Sequence, residues 1–120
     1  MIDLDCPGEL RTAALAAVTA CGLADGHLAV ELVTPERIRE LNREHRGVDT
    51  PTDVLAFPVD GALETPGPRE IGDIVICPEH TLDLDEATVH GVLHLAGYDH
   101  EHDHGEMLAL QQRVLEGLRT

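Results

Sequence analysis

Lysine and tryptophan are absent from this 120-residue chain, and aromatic side chains are almost absent. The only Phe and Tyr residues are Phe57 and Tyr98, so the core must be aliphatic. The eight basic residues, all arginine, stand against 23 acidic ones, which gives a formal net charge of −15. That charge disfavours nonspecific contact with nucleic acid or anionic membrane. We therefore expect no membrane and no DNA partner, and any polyanionic substrate must be bound locally, against the overall field.

The sequence also lacks a long apolar run, a secretory signal and a disulfide pattern. No stretch approaches the ~18 apolar residues of a membrane span, and the N-terminal segment carries Asp3 and Asp5 rather than positive charge. An odd number of cysteines cannot all pair within one chain, and their spacing matches no zinc pattern; they are Cys6, Cys21 and Cys77. We expect reduced thiols in a cytoplasmic protein.

The remaining pattern predicts one α+β domain over residues 1–120, a length typical of a single domain. Apolar runs predict strands at 28–33, 53–57 and 71–77, with a weaker edge strand at 2–5. Helices are predicted at 7–21, 35–45, 85–96 and 103–118, and an exposed loop at 59–70. Because helices and strands are interspersed, we expect a small mixed β-sheet of about four strands with helices packed on it.

Local signals mark where the predicted helices begin and end. Thr34 precedes a proline and is expected to cap the second helix, whereas either Asp83 or Asp85 is expected to cap the third. Gly97 is expected to end the third helix by adopting a left-handed conformation.

Histidine is concentrated near the C-terminus, where five of the eight histidines lie within residues 90–104. His90 and His94 are four residues apart on the predicted third helix. Residues so spaced differ by about 40° of rotation and about 6 Å of rise, so both imidazoles project from one face and can bind one ion. On a continuing helix His100 would point about 120° away from His94. It can join the pair only if the helix breaks near Gly97.

The pattern predicts a metal site with three histidine ligands and an open fourth position, which is typical of catalytic rather than structural zinc. The predicted ligands are His90, His94 and His100. We expect one zinc ion per chain, with nickel, copper or iron(II) as alternatives for imidazole ligands. His102 and His104 are expected to be exposed neighbours rather than ligands. Asp99 is either an acceptor that orients a ligand imidazole or only a turn residue.

The spacing of the histidines resembles the HExxHxxGxxH motif of metzincin peptidases, so a metzincin-like metal-binding helix is expected. One position differs, because Gly91 stands where the peptidases carry a glutamate general base. A glycine inside a helix costs about 1 kcal/mol relative to alanine, which suggests that backbone or a ligand approaches closely there. Peptide hydrolysis is therefore the weaker hypothesis.

Longer stretches resemble the YbeY family of bacterial endoribonucleases, which act in ribosomal RNA maturation. The segment HGVLHLAGYDHE is similar to that family's HGxLHLxGYDH signature. Residues 41–58 are similar to its LNxxYRxxDxPTDVLSFP segment, with His45 in place of the aromatic residue and Ala56 in place of the serine. Residues 72–77 resemble its GDIVI strand. Between Cys77 and His90 the chain is shorter than the family pattern by about one helix.

The resemblance implies a zinc-dependent endoribonuclease that cleaves single-stranded RNA in 16S rRNA 3′-end maturation and ribosome quality control. Its implied partners are an rRNA precursor and a ribosomal subunit or ribosome-associated proteins. It implies His90, His94 and His100 as the zinc ligands and Arg46 as the catalytic arginine facing the metal cleft. The alternative function is a zinc-stabilised ribosome-assembly factor without catalysis, and a metallopeptidase is the weaker alternative.

The arginines supply a second argument for contact with RNA. Four of the eight lie within ten residues: Arg37, Arg39, Arg43 and Arg46. The guanidinium group is suited to bidentate contact with phosphate. The first two are expected to pair with glutamates along the helix, whereas Arg46 is expected just past the helix end and available for RNA. Arg43 is the second candidate RNA contact, and a purely helix-surface role is its alternative.

Overall fold

The computed structural model describes residues 2–23, 25–58, 70–99 and 103–119. These residues form four strands and four α-helices, with the bounds β1 Ile2–Asp5, α1 Arg11–Ala20, β2 Gly26–Leu32, α2 Pro35–Arg46, β3 Val54–Pro58, β4 Glu70–Ile76, α3 Leu84–Leu95 and α4 Glu106–Leu118. The loop predicted at 59–70 lies, up to residue 69, outside the described residues. None of the described helices is both long and apolar enough to cross a membrane.

The strands form one mixed sheet in the order β1-β2-β4-β3. β1 and β2 are parallel, as are β2 and β4, whereas β3 runs antiparallel to β4. The sheet therefore has β1 at one edge and β3 at the other, and Ala56 of β3 lies opposite Ile74 of β4. The predicted four-stranded mixed sheet and its weak edge strand at 2–5 are confirmed.

The two faces of the sheet are covered unequally. Along β4, Ile74 and Ile76 are buried in the larger core, which α1, α3 and α4 build by packing on one another. The alternate residues, Val75 of β4 and Cys77 directly after it, are buried in a smaller cluster with Ile38 of α2. This alternation is the period-2 pattern of a strand buried on both faces. It places α3, which carries two of the predicted ligands, in the main core, and α2 on the opposite face.

The predicted helix signals act as expected at two N-termini. The Thr34 hydroxyl accepts a hydrogen bond from the Arg37 N–H at 3.2 Å, and a carboxylate oxygen of Asp83 accepts one from the Glu86 N–H at 3.1 Å. Asp83, not Asp85, is therefore the cap of α3. This bond and the adjacent Arg119 guanidinium hold the pKa of Asp83 below its ordinary value.

One predicted boundary that affects the site is wrong. Arg46 was expected past the end of the second helix, but it is the last residue of α2. The helix continues to it because Gly47 adopts the left-handed conformation, with φ of 71°, and its N–H bonds back to the Arg43 carbonyl at 3.1 Å. The C′ glycine therefore sets the end of the helix, one residue later than predicted.

Candidate functional site

A cleft of about 770 Å³ lies where α3, β3 and the end of α2 meet. This volume is within the range of small-molecule sites. Its lining combines polar and titratable groups from all three elements, including His45, Arg46, Thr52, Asp53, His90, His94 and Asp99. The structure thus brings Arg46 and the first two predicted ligands to one cavity. Arg43 is absent from the described lining residues, and His100 lies outside the described part of the chain.

The two helical histidines of α3 point their Nε2 atoms at each other. The Nε2 atoms of His90 and His94 are 3.1 Å apart, and the two rings meet nearly edge to face at 78°. Without an ion, one of these nitrogens must carry the proton that the other accepts. Two nitrogen ligands of one tetrahedral zinc ion, each at about 2.05 Å, lie about 3.3 Å apart. The distance between the two nitrogens in the structure is close to the distance that a shared ion requires.

The opposite side of the first imidazole is held by a buried amide. The Nδ1 atom of His90 lies 2.7 Å from the Oε1 atom of Gln111 on α4. A ligand imidazole usually donates its second ring N–H to such an acceptor, which fixes the tautomer and the ring orientation. The imidazole nitrogens of the two histidines and the contact of His90 with Gln111 are both what a metal-binding site requires. Within the described residues, no three His, Cys, Asp or Glu side chains converge as a complete metal site, and the third predicted ligand is not among those residues.

The end of α3 has the geometry that the sequence predicted for it. Gly97 has φ of 102°. Its N–H donates to the His94 carbonyl at 3.0 Å, and the Tyr98 N–H donates to the Leu93 carbonyl at 3.0 Å. This pair of bonds is the Schellman arrangement, which terminates a helix and turns the chain away from its axis. Gly97 lies three residues after His94. This is the position at which the sequence requires the helix to break if His100 is to join the histidine pair.

The glycine between the two histidines is explained by packing. A Cβ atom built on Gly91 would lie 2.9 Å from the Cγ2 atom of Ile74 and 3.1 Å from its Cδ1 atom. Ile74 is fully buried at the centre of the sheet and cannot move aside easily. α3 therefore approaches β4 at a distance that only glycine allows. The close approach expected at this position is that of a core side chain, and no carboxylate can extend into the cleft from here.

Next to Arg46, the segment after α2 is held by an exposed ion pair and by one partly buried hydrogen bond. Arg39 makes a two-bond pair with Asp49, at 2.8 and 3.1 Å, and this pair lowers the pKa of the Asp49 carboxyl. The Asn42 amide donates to the Thr50 carbonyl at 2.9 Å. These contacts hold the segment after α2 against the helix. The expected pairing of Arg39 with a helix glutamate is replaced by this contact, whereas Arg37 does pair with Glu40, at 3.1 Å.

The structure adds residues at or behind the site that the sequence had not singled out. Asp53 lines the same cleft as Asp99, and its Oδ1 atom accepts bonds from the Val54 N–H at 2.8 Å and the Thr52 hydroxyl at 3.2 Å. Its position directly before β3 was the available signal. Gln111 was missed as well, although it is a polar residue one turn after Met107 on the buried stripe of α4.

The substituted aromatic position keeps a ring contact. The imidazole of His45 stacks on Phe57 with ring centroids 4.7 Å apart, in a tilted arrangement. The packing role expected of an aromatic side chain is therefore filled by a histidine that also lines the cleft.

The fold and the cleft define a class: small α+β proteins with a helical histidine pair and an arginine on one cavity at the sheet edge. The family model described as Endoribonuclease YbeY matches residues 9–119, and the chain belongs to this family. Among its relatives, proteins named Endoribonuclease YbeY from Rubrobacter xylanophilus and Salinispora tropica are 48% and 43% identical. Each alignment covers 78% of this chain, and 69% and 74% of the respective relative.

A solved structure supports the same assignment at the level of the fold. The solution structure of TM1509 from Thermotoga maritima is 30% identical and superposes with a TM-score of 0.55, covering 97% of this chain and 87% of that one. The resemblance inferred from the sequence motifs is therefore confirmed.

Proposed function

We propose that this protein is a zinc-dependent endoribonuclease that cleaves single-stranded RNA. The observation that carries the proposal is the His90–His94 pair, with its Nε2 atoms 3.1 Å apart, in the same cleft as Arg46 in a chain of the YbeY family. Relatives of the chain bear the name endoribonuclease. The substrate we propose is an rRNA precursor at the 3′ end of 16S rRNA, in the cytoplasm.

Zinc at this site would be held by His90, His94 and the predicted third ligand His100, and would supply Lewis acidity toward a phosphoryl oxygen or water. Arg46 supplies a permanent positive charge at the cleft wall, where it contacts the scissile phosphate and stabilises the negative charge that develops on its oxygens. Among the described lining residues, Asp53 and Asp99 carry the carboxylates suited to the role of general base. The 2′-hydroxyl of the RNA is the alternative source of the attacking group.

The charge of the protein favours a docked rather than a freely diffusing substrate. With a net charge of −15 and the carboxylates of Asp53 and Asp99 in the cleft, long-range attraction of RNA is unfavourable. We therefore propose that a ribosomal subunit or a ribosome-associated protein brings the RNA to the cleft. Peptide hydrolysis has less support, because the position of the peptidase glutamate is a glycine with no room for a side chain.

The test compares three proteins purified side by side: the parent, His94→Ala and His104→Ala. His104 is a matched control because it is an exposed histidine close in sequence and not a predicted ligand. Zinc content is measured by mass spectrometry, and cleavage is measured on single-stranded and duplex RNA. We expect one zinc per chain in the parent and in His104→Ala. His94→Ala should lose the zinc and at least about 100-fold in single-strand cleavage.

Two results would contradict the proposal. Equal cleavage by the parent and His94→Ala would show that the nuclease activity comes from a contaminant. Stoichiometric zinc without cleavage would favour the alternative, a zinc-stabilised assembly factor. In the same assay Arg46→Ala should keep its zinc but lose most of the cleavage, and unchanged cleavage would remove the assigned role of the arginine.

A further inference from the structure

A buried polar side chain stands behind the histidine pair. Gln111 is only 9% exposed and lies on the inward face of α4 with Met107, Val114 and Leu115, all apolar and buried. Burying an amide without a hydrogen-bond partner is costly. The partner here is the Nδ1 atom of His90, at 2.7 Å from Oε1. The amide therefore occupies a core position in order to meet one specific ring nitrogen.

The helix that carries this amide is fixed at its N-terminus. The two carboxylate oxygens of Asp103 accept bonds from the Gly105 N–H at 2.8 Å and the Met107 N–H at 2.9 Å. Met107, one turn before Gln111, is fully buried. The Gln111 amide is therefore carried by a helix that is held at its N-terminal end by Asp103 and packed in the core. Its position relative to α3 is set by that packing.

The orientation of the amide decides which nitrogen of His90 can bind an ion. With Oε1 facing Nδ1, the ring must carry its proton on Nδ1, and Nε2 presents a bare lone pair toward His94. With the amide reversed, its N–H groups would donate to Nδ1, and the proton would lie on Nε2, where it would block coordination. The contact in the structure corresponds to the first arrangement.

We propose that Gln111 is a positioning residue that holds His90 in the Nδ1–H tautomer and so keeps Nε2 available for metal. The metal part of this inference rests on the proposed function, whereas the tautomer can be measured without metal. A second cavity of about 380 Å³ borders both side chains, so water can replace part of the lost bond. Removal of the acceptor should therefore weaken zinc binding by about 10-fold, at the low end of what such partners contribute.

The experiment uses the parent, Gln111→Leu, Gln111→Glu and the control Gln112→Leu. Gln112 is the adjacent, exposed glutamine, and its side chain bonds to Glu116 at 3.2 Å instead of to a histidine. Nitrogen-15 NMR of the metal-free proteins at pH 8 reports the tautomer of His90. Competition with a chromophoric chelator gives the affinity for zinc alone.

In the parent, Gln111→Glu and Gln112→Leu, we expect His90 to carry its proton on Nδ1. In Gln111→Leu we expect a mixed or Nε2–H tautomer and zinc affinity about 10-fold weaker. An unchanged tautomer in Gln111→Leu would overturn the proposal. Should that variant fail to fold, an Nε2–H signal in the parent overturns it equally well, and an Nδ1–H signal retained in Gln111→Glu supports it. A parent that binds no zinc would refute the metal part of the proposed function, while the tautomer would still decide the role of Gln111.

Discussion

Two helix ends meet at the cleft, and they are held in place in different ways. The end of α2 brings Arg46, and the end of α3 brings His90 and His94. Both helices stop at a glycine in the left-handed region, Gly47 and Gly97. The inner face of α3 is buried in the main core, whereas five of the last six residues of α2, all but Asn42, are exposed or half-buried. The two helices thus end in the same way, at a glycine, but the end of α2 is mostly exposed whereas α3 is packed in the core.

Because their surroundings differ, the histidine half of the site on α3 and the arginine half on α2 are expected to respond differently to substitutions. The histidines are fixed by close packing on β4 and by a buried amide, so their geometry depends on the stability of the whole domain. The arginine is exposed at the end of α2, so its position can change while the chain stays folded. We expect core substitutions to affect metal binding and stability together, and surface substitutions near α2 to affect RNA contact alone.

The largest effect is expected from Gly91→Ala, which places a methyl group 2.9 Å from the Ile74 side chain. Overpacking of a core typically costs about 1–3 kcal/mol, which exceeds the helix-propensity gain of alanine. The free energy of unfolding, measured in urea, should fall, and zinc affinity should fall with it. The matched control is Gly117→Ala on α4, where an added Cβ meets no atom within 4 Å and about 0.5 kcal/mol should be gained. A Gly91→Ala protein as stable as the parent would show that α3 does not need this close approach.

The second largest effect is expected when the glycine that ends each helix, α2 or α3, is replaced by alanine. Gly47→Ala and Gly97→Ala both force an L-residue into the left-handed region, with open space around the added Cβ. Each should cost about 1–2 kcal/mol, because only the backbone conformation is strained. Zinc affinity should fall in Gly97→Ala alone, and the KM for RNA should rise in Gly47→Ala alone. Equal losses of zinc affinity in both variants would contradict the separation of the two halves.

Sequence reasoning succeeded where the signal is local. The N-cap at Thr34, the helix end at Gly97 and the spacing of His90 and His94 depend on residues within one or two turns of each other, so the sequence predicts them directly. The order of strands and the contact of Gln111 with His90 join residues far apart in the chain. The second helix was predicted to end at His45, which left Arg46 outside it. The helix includes Arg46 because Gly47 defines its end. The sequence shows that Gln111 is a polar residue within the apolar stripe of α4, but it does not show that its partner is His90.

A smaller effect is expected at the far end of α3. Asp83→Ala removes the N-cap and should cost about 1 kcal/mol at pH 7. The folded state lowers the pKa of Asp83 below 3.8, first through the Glu86 N–H and then through Arg119. Its charge-dependent stabilisation is therefore present above that value and is lost as the pH falls through the folded pKa. Urea unfolding at pH 7 and pH 3 should show a gap to the parent that narrows in acid.

The control for this cap is Asp85→Ala, the other residue that the sequence had offered for the role. It lies in the first turn without capping the helix, so its loss should cost no more than about 0.5 kcal/mol through the helix dipole. A larger loss for Asp85→Ala than for Asp83→Ala would reverse the assignment of the cap.

The smallest expected effect tests whether the arginine half is independent of the core. Arg39→Ala breaks the exposed pair with Asp49 and loosens the segment that leads into the cleft. The melting temperature should stay unchanged, since exposed ion pairs contribute little to stability, and the KM for RNA should rise by roughly two- to threefold. Arg37→Ala removes the same charge from the same helix but breaks a pair within α2. If both variants raise the KM equally, net charge and not the position of the loop controls RNA contact. A rise confined to Arg39→Ala with an unchanged melting temperature shows that the position of this surface segment contributes to RNA contact independently of the core.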